Sequence, residues 1–234
     1  MPKIPKPINP SRPNCLGCPL LEISPHGGFS EIEGHGHLGV MIIAEALGEK
    51  EEEDGLPFRP HAEAGSLFTK VLKRSGFSRD QFWITNIISC RPQNNFLEGA
   101  PYEHEAIEHC RQYLDHAINR LRPSVILALG SIACRTLIGM AGAKQTVTML
   151  RGFILNSNRY NIPVIASFHP SYINRGAKHL TGVLIRDLNL AVSIAKNGVP
   201  VDDHYYLKPN TPNQAWDWWC KVARNHPPLE PPIA

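Results

Sequence analysis

The chain has 234 residues, 42% of them hydrophobic and 19% charged, with a formal net charge of +3. That is enough for one α/β domain with a sizeable core, or one domain and a tail, and the mild positive balance is compatible with a nucleic-acid partner without requiring one. No apolar run reaches membrane-spanning length, the basic start lacks the apolar centre of a secretory signal, and six cysteines are too few for a secreted disulfide scaffold, so no membrane and a reducing cytoplasm are expected.

Residues 1–14 are a Pro/Lys-rich arm without periodicity, expected to run extended over the surface. Cys15-Leu16-Gly17-Cys18 follows. Two thiols two residues apart can grip one metal centre, and the glycine permits the tight turn between them. Residues 22–37 are rich in Gly and His and read as loop. His26, His35 and His37 lack regular ligand spacing, so a solvated loop is the expected reading and a metal role the lesser one.

The apolar run 38–44 ends abruptly in Glu45-Ala46-Leu47-Gly48 and reads as a buried strand of a parallel sheet. In open α/β sheets the loop leaving a strand's carboxyl end is the usual ligand position, so Glu45 stands where chemistry is expected. The competing reading is an ordinary βα loop with a solvated acidic face over 49–54. Residues 64–75 read as a helix with Leu67, Phe68, Val71 and Leu72 on its apolar face and Gly76 as its stop. Residues 82–88, FWITNII, read as a second strand interrupted by Asn86. A buried amide is costly without partners, so Asn86 is either structural or aimed at a ligand. Cys90-Arg91-Pro92 closes the strand, residues 93–101 form a polar loop, and Glu103–Leu121 reads as a helix carrying Cys110. A third strand (124–129) and a helix (132–138) follow. Residues 152–155 and 160–167 pair as a hairpin across Asn156-Ser157-Asn158, the second arm continuing as the fourth central strand. It ends in His169-Pro170-Ser171-Tyr172-Ile173-Asn174-Arg175, before a long helix over 180–195.

This alternation predicts an α/β fold of three layers, α/β/α, around a central, mainly parallel four-stranded sheet. Residues 1–197 are expected to form one domain that includes the metal-binding arm. Residues 198–234 differ in composition and read as a Pro/Trp-rich tail, with Trp216 and Trp219 on one side of a possible docking helix.

Cys15 and Cys18 share one turn, Cys90 ends a strand and Cys110 lies in the next helix. If the arm packs over that region, four thiolates converge, a set suited to an iron–sulfur cluster or a structural zinc. The alternative is four buried cysteines acting as small hydrophobes; Cys134 and Cys220 read that way in any case.

Taken together, these pieces resemble the family 4 uracil-DNA glycosylases, the iron–sulfur-containing class. Glu45-Ala46-Leu47-Gly48 with Glu51-Glu52 and Gly55-Leu56-Pro57-Phe58 is similar to the family's GEAPGxxED segment and its following GxPF. Thr85-Asn86 with Cys90-Arg91-Pro92 resembles its TN-x-x-x-CRP segment, and residues 169–175 resemble HPSxLLR. The four cysteines fall in the order of its cluster ligands. Departures are Ala44 for Gly, Leu47 for Pro, Glu52 for Asp, and Ile173-Asn174 for Leu-Leu; His104 does not align with the covalently trapping His of a related subgroup.

The resemblance implies a monofunctional DNA-repair enzyme that flips uracil out of DNA and hydrolyses its N-glycosidic bond, leaving an abasic site. Glu45 would stabilise the sugar cation or orient water, with Glu51 or Glu52 assisting, and His169 and the Ala46 N–H would meet the departing base. Phe58 would stack on uracil and Asn86 would read its edge. Ser171 and Arg175 would meet DNA, with Tyr172 and Ile173 wedging into the vacated stack. Cys15, Cys18, Cys90 and Cys110 would hold a [4Fe-4S] cluster, with structural zinc as the alternative. The expected partner is uracil-containing DNA, single- or double-stranded, bound by a monomer. Two other readings stand beside this one: a superfamily member acting on another deaminated or modified base, and a catalytically silent iron–sulfur DNA-binding module.

Overall fold

A computed structural model describes residues 15, 17–20, 30–140 and 145–200. The N-terminal arm, His26, Cys220 and the Trp-rich tail lie outside the described residues. Contacts divide the chain into Met1–Val199 and Pro200–Ala234; everything below belongs to the first unit.

Five strands form one sheet: β1 (Val40–Ala44), β2 (Trp83–Asn86), β3 (Val125–Leu129), β4 (Ile154–Ser157) and β5 (Ile162–Ser167). Their order is β2-β1-β3-β5-β4. The first four in that order run parallel, and β4 pairs antiparallel on the outer edge of β5. β1 and β3 are buried at every position, as continuous Val/Ile/Leu/Ala runs require when helices cover both faces.

The helices are α1 (Glu49–Asp54), α2 (Glu63–Arg74), α3 (Glu103–Leu121), α4 (Ser131–Ile138), α5 (Val147–Leu150), α6 (Pro170–Asn174) and α7 (Thr181–Asn197). α2 packs on α6 and α7, and α7 covers β1, β3 and β5, while α4 covers β3, β4 and β5. The chain moves one way along the sheet from β1 to β2 and the other way from β2 to β3 and from β3 to β5. Right-handed crossovers therefore place α2 and α7 on one face and α3 and α4 on the other.

The α/β/α layering matches the sequence expectation, with three corrections of detail. The sheet has five strands rather than four, because the first arm of the hairpin joins it as an edge strand. The hairpin also turns later than its Asn-Ser-Asn run suggested. Ser157 is still paired, opposite Ile162, and the turn is 158–161 with Asn161 at φ +53°. The Ser157 hydroxyl donates to the Leu137 carbonyl at the end of α4, which anchors it inside the fold. The segment 93–101 is less solvated than its polarity implied: it contains a 3₁₀ turn, Gln93–Asn95, and buries Leu97 and Ala100.

Candidate active site

The chain reverses its direction of travel between β1 and β3, so the crevice beyond their carboxyl ends is the topological switch point where α/β sheets bind ligands. Three polar side chains leave the sheet at that edge. Glu45 follows β1, Asn86 is the last residue of β2, and His169 lies two residues beyond β5. The Glu45 main chain is fixed because its carbonyl accepts the Ile88 N–H at 3.0 Å, continuing the ladder past the end of β2.

Burial pushes the Glu45 carboxyl up to about 7; Glu98 and Glu103 add to the shift, and Arg135 and Arg175 oppose it. Arg135, buried in α4, is paired with Glu98 at 3.0 Å and lies 3.9 Å from Glu103. Glu45 thus changes charge near neutrality. His169 behaves oppositely. Its burial, with the Arg175 cation, lowers it to about 4. Its Nδ1 accepts the Ser171 N–H at 3.2 Å, which places the proton of the neutral ring on Nε2.

Phe58 packs beside His169, its ring centroid 5.4 Å from that of His169 and 4.7 Å from that of Phe68. Its backbone is left-handed, φ +50°, a conformation that costs a bulky residue on the order of 1–3 kcal/mol and persists only where neighbours enforce it. Those neighbours are visible. Arg79, itself paired with Glu33, donates to the Phe58 carbonyl at 3.0 Å and to the Pro57 carbonyl at 2.9 Å. Gly65 in α2 presses against the same backbone: a Cβ there would lie 2.0 Å from the Arg59 carbonyl oxygen.

The acidic cluster forms α1, and Glu51 in it is buried rather than solvated. Its carboxylate accepts the Gly48 N–H at 2.7 Å. Burial raises its pKa, opposed by hydrogen bonds from the Gly48, Phe58 and Arg59 backbones. Glu51 therefore clips together the two ends of the loop that carries Ala46 and Phe58. Asn86 is also buried, and its Nδ2 donates to the Ser30 hydroxyl at 3.3 Å.

Cys18, Cys90 and Cys110 are buried and Cys15 is partly so. The Cys18 N–H donates to the Cys15 carbonyl at 3.0 Å, closing the tight turn expected of the CxxC. Burial raises the Cys90 thiol, and Cys110, Cys18 and Cys15 raise it further; Cys110 is pushed up to about 11 by burial, with Cys18 and Cys15 adding to the shift. The four sulfurs are thus near enough to act on one another, an all-thiol donor set in a water-poor site. Cys134, by contrast, is a packing residue: it is fully buried, and its thiol donates to the Ala128 carbonyl at 3.5 Å.

The family described as the Uracil DNA glycosylase superfamily matches residues 32–190. The chain belongs to the uracil-DNA glycosylase superfamily. It is 33% identical over 186 residues to a type-4 uracil-DNA glycosylase of Thermotoga maritima, covering 78% of this chain and 90% of that protein. It is 39% identical over 131 residues to a type-4 enzyme of Pyrobaculum aerophilum, covering 56% and 63% respectively. A type-5 uracil-DNA glycosylase of the same organism is 30% identical over 139 residues, covering 54% and 58%.

Within this superfamily member, the segment after His169 departs from expectation at one position. Tyr172 is 50% exposed, its ring stacked on Phe168 at 5.7 Å, but Ile173 is 0% exposed. Ile173 faces the core from the short helix α6 and cannot enter a base stack without unpacking it. Ser171 is half-buried and Arg175 is exposed, near enough to act on both Glu45 and His169. Sequence reasoning missed Arg79, Gly65, Ser30 and the Arg135 group. Only Gly65 left a signal, a glycine inside an otherwise good helix, which usually has a packing reason.

Proposed function

We propose that the chain excises uracil from DNA by hydrolysing the N-glycosidic bond, leaving an abasic site. The observation that carries this reading is the meeting of a carboxyl, an amide, a neutral imidazole and an aromatic ring at the carboxyl edge of one parallel sheet. The type-4 relatives are named for the same reaction. A base must leave the duplex stack to reach such a crevice. Phe58 stacks on the flipped base. Asn86 accepts from N3–H and donates to O4, using the amide hydrogen that Ser30 does not take.

Bond cleavage develops positive charge on the sugar and negative charge on the base. Ionised Glu45 stabilises the sugar cation and orients the attacking water. The His169 Nε2–H donates to O2 of the departing base, and the Ala46 N–H adds a second donor. Glu51 acts by holding the loop. Arg175 and Ser171 meet the backbone phosphates, and Tyr172 alone fills the vacated stack.

Cys15, Cys18, Cys90 and Cys110 would hold a [4Fe-4S] cluster. A structural zinc held by the same four thiols is the alternative. When bound, the cluster supplies a structural tie between the N-terminal CxxC, the exit of β2 and α3. We further read residues 1–197 as the glycosylase domain, 198–234 as a tail, and the protein as a monomer working in the cytoplasm. No helix among the described residues is long and apolar enough to cross a membrane.

The test is a panel of oligonucleotides, each carrying one uracil, hypoxanthine or modified uracil, in single- and double-stranded form, scored for released base. Uracil should be released fastest. Faster release of another base would reassign the substrate, and release of none would leave only a DNA-binding module.

A further inference from the structure

At the opposite edge of the sheet, where β1 and β2 begin, His35, His37 and Asp80 present one ligand atom each, all within 4.8 Å of one another. All three are exposed. None belongs to the uracil site, which lies at the carboxyl ends of the same strands.

The grouping is built by the backbone. The His35 N–H donates to the Asp80 carbonyl at 2.8 Å and the Gly36 N–H to the same oxygen at 3.3 Å. The Leu38 N–H donates to the Gln81 carbonyl at 3.0 Å. The segment that carries both histidines is therefore laced to the turn that carries the carboxylate. Between the histidines, Gly36 is left-handed at φ +68°, and a Cβ there would lie 2.1 Å from the Trp83 ring. No other residue fits that turn, and the turn brings His35 and His37 to one side, their rings stacked with centroids 5.8 Å apart. The His35 Nδ1 and an Asp80 carboxylate oxygen are already in direct contact.

We propose that His35, His37 and Asp80 form a binding site for a divalent transition ion, with zinc as its best-suited occupant. Two imidazoles and one carboxylate are a donor set that borderline ions prefer, whereas magnesium and calcium prefer oxygen alone. Three protein ligands on an exposed surface leave the remaining coordination positions to water. The ion replaces the His35–Asp80 hydrogen bond with two metal–ligand bonds and ties the entry of β1 to the entry of β2. Its role is to brace the sheet, away from the chemistry.

The test uses untagged, cluster-loaded full-length protein, so that neither a purification tag nor empty cysteines compete for the metal. Zinc chloride is titrated calorimetrically into the parent chain, His37→Ala and Asp80→Asn, with magnesium chloride as a control titrant. One zinc per chain should bind to the parent. Each variant should bind it at least about tenfold more weakly, since even second-shell changes at metal sites cost 10–100-fold. Uracil excision, as a check that the variants are folded, should be unchanged. Equal zinc affinity in parent and both variants, or no zinc binding by the parent, would overturn the proposal.

Discussion

Glu45 and His169 sit at the same edge of the sheet, yet their environments push their proton affinities apart. Burial raises Glu45 to about 7 and lowers His169 to about 4. Glu45 must be ionised to act on a sugar cation, and an acid with a raised pKa loses its proton only as pH climbs through that value. Uracil kcat/KM should therefore rise with pH through about 7 and level off above it. His169 is already neutral over that range, so the rise belongs to Glu45. Glu45→Gln should lose the pH dependence and about 10²-fold or more in single-turnover rate, while keeping DNA affinity. A variant at His169 should be slower but retain the rise.

Asn86 makes a second residue-scale prediction. Asn86→Asp replaces the amide donor with an acceptor that repels O4 of uracil when ionised. Uracil excision should fall steeply, with a trace of cytosine excision at mildly acidic pH, where the protonated acid pairs with cytosine N3. Asn86→Ala should lose uracil activity without that gain. Parental uracil rates in Asn86→Asp would mark the residue as structural. The positions of Glu45 and His169 were legible because each follows the end of an apolar run, and that of Asn86 because it interrupts one. The partners that tune them were not, because Ser30, Arg135 and Glu98 reach the site only through tertiary folding.

At the scale of elements, the strained Phe58 loop depends on how closely α2 approaches it. Gly65→Ala would put a methyl group 2.0 Å from the Arg59 carbonyl oxygen, and backbone cannot give way as a flexible side chain does. The loop should shift and move the Phe58 ring off the base, lowering uracil excision by about 10-fold to 10²-fold even if melting temperature falls only modestly. An unchanged rate would show that Phe58 does not position the base. The four buried strands and main helices were legible from apolar runs and their punctuation. The hairpin register was not, because an Asn-Ser-Asn run signals a turn equally well at neighbouring positions and burial of Ser157 decided it. Ile173 was misread as a wedge because a motif fixes sequence position and leaves open which way a five-residue helix turns its side chains.

At the scale of the whole molecule, the four cysteines join segments distant in sequence, so a bound cluster would stabilise the folded chain directly. Protein purified without air should be brown and contain iron. Cys90→Ala should lower melting temperature more than Cys134→Ala, whose thiol only fills space. Equimolar zinc without iron would replace the cluster while leaving the tie. The order of the cysteines was legible in the sequence; their convergence was not, since it requires the N-terminal turn to reach β2 and α3. The reaction itself is tested most directly by incubating the full chain with an oligonucleotide carrying a single uracil and treating it with alkali. The predicted result is a break at the uracil position alone, absent with Asn86→Ala and absent when thymine replaces uracil. An intact oligonucleotide with the folded, iron-containing parent chain would contradict it.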